Sequence, residues 1–370
     1  RYKHREERAA NYTRLLIEEI INFAVNSRAR SAPIHAVYLG GGTPSALTAT
    51  ELHQILSAIH THYPLASDCE VTVEGRIIHF DDDKVDACLE AGANRFSIGV
   101  QSFDTEVRRS VGRRSSREQT IHFLERLIAR NRAAIVVDLI FGLPRQSLEI
   151  WSRDLDTCLD IAPDGVDLYA LNVFHGTPLQ EAIARGTFPA ALPLSELGPM
   201  YASGVERFDR AGWSQLSNSH FARSIRERNR YNLLIKEGAE TLAFGSGAGG
   251  TMGIYSFVRS GDLDAWSNAV QASCLSLGSL MQADPQESIR TTISAALERG
   301  QLAISDLAPH LSETLIINTI LPELRDWCRR GLAFYQNNTI QLTTAGRFWS
   351  SNLVGALTDR IQLREHHAHQ

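Results

Sequence analysis

An α/β fold built on a parallel sheet is predicted by three features of the sequence. Short apolar strands alternate with amphipathic helices from about residue 37 to about residue 180, which implies right-handed βαβ units. The strands end in glycine or in a polar residue. From about residue 286 the rhythm changes to helices followed by a hairpin, which predicts a small winged-helix-like α+β domain. The chain is accordingly divided into an α/β domain over 1–235, a connecting segment over 236–285 and an accessory domain over 286–370.

Each element has a local cause. Residues 5–28 read as a helix with Tyr12, Leu15, Leu16, Ile20 and Phe23 on one face. Val37-Tyr38-Leu39 is a strand that runs into a glycine turn. Thr48 and Glu51 have capping-box spacing before the apolar stripe Leu52, Ile55, Leu56 and Ile59. Val71-Thr72-Val73 is the next strand, and the short helix around Cys88 stops near Gly92, where a left-handed cap suits glycine. Phe96 to Val100 is a strand. Ser116 and Gln119 repeat the capping box. Ala134 to Phe141 is a strongly apolar strand, Ser147 opens a helix with Trp151, Leu155 and Cys158 inward, and Val166 to Val173 is a fifth strand. Residues 186–200, rich in Ala, Pro and Ser, read as a linker or loop. Helices are expected over 289–297 and 311–321, a hairpin about Asn337-Asn338, and a final helix from Thr344.

Composition excludes several classes. Hydrophobic residues at 43% support a globular core and argue against wholesale disorder. A net charge of −5 argues against a general binder of nucleic acid or anionic membrane. No apolar run approaches the roughly 20 residues a membrane span needs, and no apolar stretch follows Arg1 at once as in a signal peptide. Cys69, Cys88, Cys158, Cys274 and Cys328 are scattered, which fits reduced thiols in a cytoplasmic protein and no local metal site. The tail His366-His367-Ala368-His369 has residue types for a stray metal, although such a terminus is ordinarily disordered.

The functional signal is a series of polar residues where strands end. Gly40-Gly41-Gly42-Thr43-Pro44 follows the first strand, Glu74 the second and Gln101 the third, and Asp138 sits inside the fourth. In a parallel β/α sheet these ends face one mouth, where ligands bind. Taken singly, the glycines make only a tight turn, and Glu74 or Gln101 only a surface contact. Asp138 is harder to dismiss, because a lone buried carboxylate costs several kcal/mol. Together they describe a site for a polar small molecule: glycine backbone approaches an ammonium or carboxylate, Asp138 accepts two hydroxyls as from a ribose, and Arg113 forks onto a carboxylate.

Val37 to Pro44, Asn94 to Phe103 (Asn-Arg-Phe-Ser-Ile-Gly-Val-Gln-Ser-Phe) and Asp138 to Pro144 (Asp-Leu-Ile-Phe-Gly-Leu-Pro) resemble the radical S-adenosylmethionine (SAM) enzymes of the coproporphyrinogen dehydrogenase-like group, in order and spacing over about residues 30–180. The resemblance implies a six-stranded partial (β/α) barrel. It implies SAM as cofactor, with Gly41, Gly42 and Thr43 at its methionine amino group, Glu74 and Gln101 as polar contacts, Arg113 at its carboxylate, Asp138 at the ribose and Asn172 at adenine. It also implies a [4Fe–4S] cluster held by Cys-x3-Cys-x2-Cys. That motif is absent, and none of the five cysteines fits it. The first strand and the cluster cysteines are therefore expected upstream of Arg1, and no catalytic residue is assigned.

Tyr169 to Leu179, Ser219 to Asn232 and Phe244 to Gly250 resemble the anaerobic heme-degradation branch of the group. The activity this implies is methylation of heme by SAM and opening of the ring without oxygen, giving the linear tetrapyrrole anaerobilin and free iron. Heme is then the substrate, with His175, His220 and Arg223 as candidate contacts. Implied partners are a low-potential electron donor (a flavodoxin or an NAD(P)H-dependent reductant) and a heme-handling protein. Two rivals are an oxygen-independent coproporphyrinogen oxidase and a heme-trafficking chaperone. Such chaperones carry His-Asn-x-x-Tyr-Trp where this chain has Arg228-Asn229-Arg230-Tyr231-Asn232, without that His or Trp.

Overall fold

The computed structural model describes residues 2–25, 31–284 and 286–368. Helix α1 (Tyr2–Ala24) precedes strands β1 (Ile34–Leu39), β2 (Leu65–Gly75), β3 (Arg95–Gln101), β4 (Ala134–Phe141) and β5 (Gly165–Ala170). These five strands are parallel and adjacent in chain order, as the βαβ rhythm requires. The crossovers are α2 (Ala49–His62), α3 (Asp82–Glu90), α4 (Thr105–Ser110) with α5 (Arg117–Ala129), and α6 (Leu148–Ile161). Both expected capping boxes are present, at Thr48/Glu51 and at Ser116/Gln119. Gly92 has φ +94°, the left-handed conformation expected where α3 ends.

After β5 come α7 (Pro178–Ala184), α8 (Leu194–Arg210), β6 (Ser214–Gln215) and β7 (His220–Ala222). Helix α8 begins inside the stretch expected to be a loop. It buries Leu197, Met200, Tyr201 and Phe208, a stripe that the Pro199 within it obscures. Strand β7 pairs antiparallel with β5 and completes a seven-stranded sheet in the order β1-β2-β3-β4-β5-β7-β6.

The sheet has two unlike faces, because side chains alternate along a strand. One face carries Val71, Val73, Phe96, Ile98, Ile135, Val137, Leu139, Val166 and Phe221, and packs under Leu52, Leu56, Cys88, Leu124, Trp151 and Leu155 of the helices. The alternate positions carry most of the polar residues, with Val136 and Ile140 among them: Glu70, Thr72 and Glu74 on β2, Arg95 and Ser97 on β3, Asp138 on β4, Asp167 and Tyr169 on β5, and His220 on β7. Register places Gly99, Asp138, Asp167 and His220 side by side in one row across the sheet.

Beyond α9 (Arg230–Lys236), the sequence reading has only a connection over 236–285. The structure has a three-stranded antiparallel sheet there, β8 (Gly249–Met252), β9 (Tyr255–Arg259) and β10 (Leu277–Gln282), with helix α10 (Leu263–Gln271). Trp266 of α10 is buried against Tyr12 and Leu15 of α1. The last part holds α11 (Glu287–Glu298), β11 (Gln301–Ala303), α12 (Glu313–Leu315), a π-helical turn (Ile316–Ile320), α13 (Leu321–Arg329), β12 (Ala333–Gln336), β13 (Thr339–Leu342), α14 (Thr344–Phe348) and α15 (Ser350–Ala368). It has its own core around Ile293, Leu297, Leu302, Ile320, Trp327, Ile340 and Leu357. Asn337 and Asn338 take φ +50° and +61°, the pair of left-handed residues that a tight two-residue hairpin needs. His369 and the side chains of His366 and His367 lie outside the described residues.

Candidate functional site

Nine of the sequence-predicted residues lie toward the end of the sheet where β1 to β5 finish. Gly41 and Gly42 form an exposed turn directly after β1, with Gly41 at φ +96°, and Thr43 leads into the 3-10 turn Pro44–Ala46. Gly40 admits no side chain. A Cβ there would sit 2.6 Å from the ring of Tyr38 and 3.2 Å from the carboxyl carbon of Glu74. The Tyr38 hydroxyl donates to Glu74 Oε1 at 2.6 Å, which aims that carboxylate along the polar face.

Gln101 ends β3 with φ +68°, a left-handed conformation unusual for a residue with a side chain. Its side chain is buried, yet Oε1 accepts no hydrogen bond. A buried polar atom without a partner costs about 1–3 kcal/mol, so strain and an orphaned acceptor coincide at one residue. Next to it, a Cβ on Gly99 would lie 3.2 Å from Gln101 Nε2 and 3.6 Å from a terminal nitrogen of Arg113. The absent side chain of Gly99 therefore opens the surface over which Gln101 and Arg113 meet. Arg113 makes no ion pair among the described residues, and its pKa is lowered by burial and by the guanidinium of Arg76, with Asp138 opposing.

Asp138 accepts from Ser97 Oγ at 3.1 Å. Burial and the neighbouring Asp167 push its pKa up to about 7, with Ser97 opposing and Glu74 adding to the rise. Near neutral pH the carboxyl is thus poised between its two forms, and in the protonated form it can both donate to and accept from a pair of hydroxyls. Asn172 and His175 are exposed in the loop that follows β5, at the same end.

His220 and Arg223 are corrections, because they do not reach this mouth. His220 is fully buried, with Nδ1 3.1 Å from Asp167 Oδ1 and Nε2 3.2 Å from Glu227 Oε1, off-line for hydrogen bonds and so best described as ion pairs. Burial opposes its charge, but the two carboxylates prevail and raise its pKa to about 9. A doubly paired imidazolium has no lone pair for heme iron. Arg223 donates to the carbonyl of Pro163 at 3.0 Å and faces Asp164, both ahead of β5. For Arg223 the physical reason is strand direction: β7 runs antiparallel to β5, so whatever follows it emerges where the parallel strands begin, whereas His220, the first residue of β7, is enclosed within the sheet beside Asp167. Arg226 and Arg228 go the way of Arg223, to Asn131 and Asp68.

That opposite end is closed by groups the sequence reading did not single out. Arg95 donates Nε to both oxygens of Glu227, at 3.1 and 3.0 Å, with both residues buried. Glu70 accepts from the backbone N–H of Arg230 and Tyr231 at 3.0 and 3.1 Å and so caps α9, and Tyr231 stacks on Tyr38 with centroids 4.4 Å apart. The signal for Arg95 and Asp167 was the alternation of charge with apolar residues inside strands. Glu227 gave no local signal.

Glycine backbone, a strained glutamine, a carboxyl of raised pKa and an unpaired guanidinium at the strand ends define a parallel β/α protein that binds a polar small molecule at its mouth. The radical SAM superfamily model matches residues 3–158. The chain is 45% identical to the anaerobilin synthase of Escherichia coli O157:H7 over 97% of its own length and 79% of that protein's. It is 24% identical to the heme chaperone HemW of Bacillus subtilis strain 168, over 95% of this chain and 92% of that one. The solved coproporphyrinogen III oxidase HemN of Escherichia coli superposes with a TM-score of 0.78 at 21% identity, over 95% of this chain and 83% of the other, which establishes the shared fold. The chain belongs to the radical SAM superfamily.

The residues present fit SAM and do not fit an iron–sulfur cluster. The orphaned Oε1 of Gln101, the open surface over Gly99 and the unpaired Arg113 suit a ligand bearing ammonium, hydroxyl and carboxylate groups. Among the described residues no three His, Cys, Asp or Glu side chains are grouped to hold a metal. Cys69, Cys88 and Cys158 are buried, and burial raises each thiol's pKa, the opposite of what a thiolate ligand needs.

Proposed function

We propose that this protein degrades heme without oxygen, as a radical SAM methyltransferase that places a SAM-derived carbon on the porphyrin, opens the ring and yields iron and a linear tetrapyrrole. The observation that carries this reading is the 45% identity to an anaerobilin synthase along 97% of the chain. When bound, SAM supplies the transferable methyl group and, on one-electron cleavage, a carbon radical. The protein's share is placement. The backbone of Gly41, Gly42 and Thr43 receives the methionine ammonium, Glu74 and Gln101 complete its polar surroundings, and Arg113 forks onto the carboxylate. Asp138, carrying its proton, holds the ribose diol, and Asn172 borders the adenine.

His175, on the exposed loop after β5, is the heme contact in this reading. No helix of the described residues is long and apolar enough to cross a membrane. A cytoplasmic enzyme supplied with electrons by a flavodoxin or an NAD(P)H-dependent reductant, and with heme by a handling protein, is the setting this reading needs. The domain division at 235 and 286 belongs to the same proposal, with the 286–370 part as an accessory domain.

The test is an anaerobic incubation of a form of the protein that carries a Cys-x3-Cys-x2-Cys segment, reconstituted with iron and sulfide, with heme, SAM and a low-potential reductant. Mass spectrometry should find an open-chain tetrapyrrole with one extra carbon from SAM. Decarboxylated coproporphyrinogen would point to an oxidase, and intact heme passed to an acceptor without SAM cleavage would point to a chaperone. Either result overturns the reading.

A further inference from the structure

A second buried cation lies beside the site and does not belong to the network beneath the sheet. Arg108, on α4, is 1% exposed. Every hydrogen bond of its guanidinium goes to an uncharged oxygen. Nε donates to the carbonyl of Ser115 at 2.9 Å, Nη1 to the carbonyls of Val100 at 2.5 Å and Ser102 at 3.0 Å, and Nη2 to the hydroxyl of Ser115. It has no carboxylate in ion-pair contact among the described residues. Burial, with Arg113 adding to it, pushes its pKa down to about 10, and Asp154 opposes the shift. A buried cation held only by dipoles is costly.

What Arg108 holds is specific. Val100 and Ser102 flank Gln101, so one guanidinium gathers the carbonyls on both sides of the left-handed residue. Ser115 lies two residues beyond Arg113, whose N–H donates to the carbonyl of Arg108 at 2.9 Å. From the other side, buried Asp154 of α6 accepts from Ser102 Oγ and Phe103 N at 2.7 Å each, and from Gln146 Nε2 at 3.2 Å. Gln146 in turn ties the loop after β4, accepting from Leu143 N at 3.1 Å and donating to the carbonyl of Ile140 at 3.1 Å.

We infer that Arg108 and Asp154 are positioning residues: a cation and an anion, separated by the Ser102 peptide, that brace three loops at the mouth and so set Gln101 and Arg113 for the ligand. The brace keeps the strain at Gln101 from relaxing, because leaving the left-handed conformation would take two carbonyls away from a buried charge whose other hydrogen-bond partners are only the carbonyl and hydroxyl of Ser115. The inference rests on the proposed SAM site, and its test separates the two.

Arg108→Met replaces the guanidinium with an apolar chain of similar length. Affinity for SAM, read by calorimetry, should fall about threefold to tenfold. The melting temperature should hold or rise, since removing an unpaired buried charge relieves its desolvation. Backbone hydrogen exchange should quicken about tenfold at residues 101–103 and 113–115 and stay unchanged at 71–74. Ser115→Ala keeps the charge, removes one anchor and should move the same readouts less. In a Gln101→Ala background, Arg108→Met should cost little further affinity. A fall in melting temperature with exchange quickened everywhere would mean a merely structural role, and unchanged affinity with unchanged local exchange would equally overturn the brace. If the parent protein binds no SAM, the proposed function fails, and the exchange pattern still decides the brace.

Discussion

The two ends of the sheet use the same residue types to opposite effect. Where the strands begin, charges are paired: Arg95 with Glu227, His220 with Asp167 and Glu227, Glu70 with the start of α9. Where they finish, groups are left waiting: among the described residues Gln101 Oε1 has no donor and Arg113 has no carboxylate. Paired charges beneath and unpaired ones above teach that burial of a polar group marks a binding site only when its partners are absent. The satisfied end gives stability, and the unsatisfied end is the one to which the proposed function assigns the ligand.

The sharpest way to break this contrast is Glu227→Ala. It leaves Arg95 and His220 buried without their shared anion, and should cost about 3–5 kcal/mol of folding stability by denaturant titration. SAM affinity of the folded fraction should be unaltered, and a loss of affinity equal to the loss of stability would erase the distinction between the ends.

His220→Gln comes next. The folded pKa of His220, about 9, lies above its ordinary value of 6.5. The stability it confers is therefore complete below about pH 6.5 and lost as pH rises through about 9. The variant should lose on the order of 2 kcal/mol relative to the parent at pH 6 and much less at pH 10. A deficit independent of pH would show that the ring is not protonated.

At the mouth the effects shift from stability to binding. Asp138→Asn should weaken SAM binding about tenfold, roughly the worth of one hydrogen bond to the diol that the amide cannot reproduce. Because its folded pKa of about 7 exceeds the ordinary 3.8, Asp138 favours folding below about pH 4 and loses that contribution as pH rises through 7. The variant should therefore melt about 2–4 °C higher than the parent at pH 8 and show no gain at pH 4. A melting temperature that fell at pH 8 would place Asp138 among the structural charges. Arg113→Lys is the smallest change. It keeps the charge and loses the two-point fork, so affinity should drop about threefold to fivefold with melting unchanged, and equal affinity would make Arg113 surface charge.

What was legible in the sequence was local. The capping boxes at Thr48 and Ser116, the hairpin at Asn337-Asn338 and the five parallel strands each depend on neighbours within a few residues. The positions of the glycine turn, Glu74 and Gln101 at strand ends were legible because strand ends in a βαβ series all point one way, and that of Asp138 because it interrupts an apolar strand. The place of Arg223 was not legible because the direction of β7 is set by a partner strand more than 50 residues earlier, and that of His220 because its carboxylate partner Asp167 is equally distant in the chain. Strand β2 was read as three residues although it spans Leu65–Gly75, since Ser67 and Asp68 interrupt its apolar run. The sheet β8 to β10 was missed for a related reason: β10 is exposed along its whole length, so alternation has no buried face to mark.

The reach of Glu227 also has a kinetic side. It meets Arg95 across 132 residues of chain, whereas β1 to β5 each pair with the strand just before or after them. Sequential strands can assemble early, with short loops to close, but the Arg95–Glu227 contact must wait until β7 has turned back. An interaction that forms after the rate-limiting step slows unfolding without hastening folding. The ion pair under the sheet therefore acts as a latch: Glu227→Ala should shorten the lifetime of the native state and leave the refolding rate almost untouched.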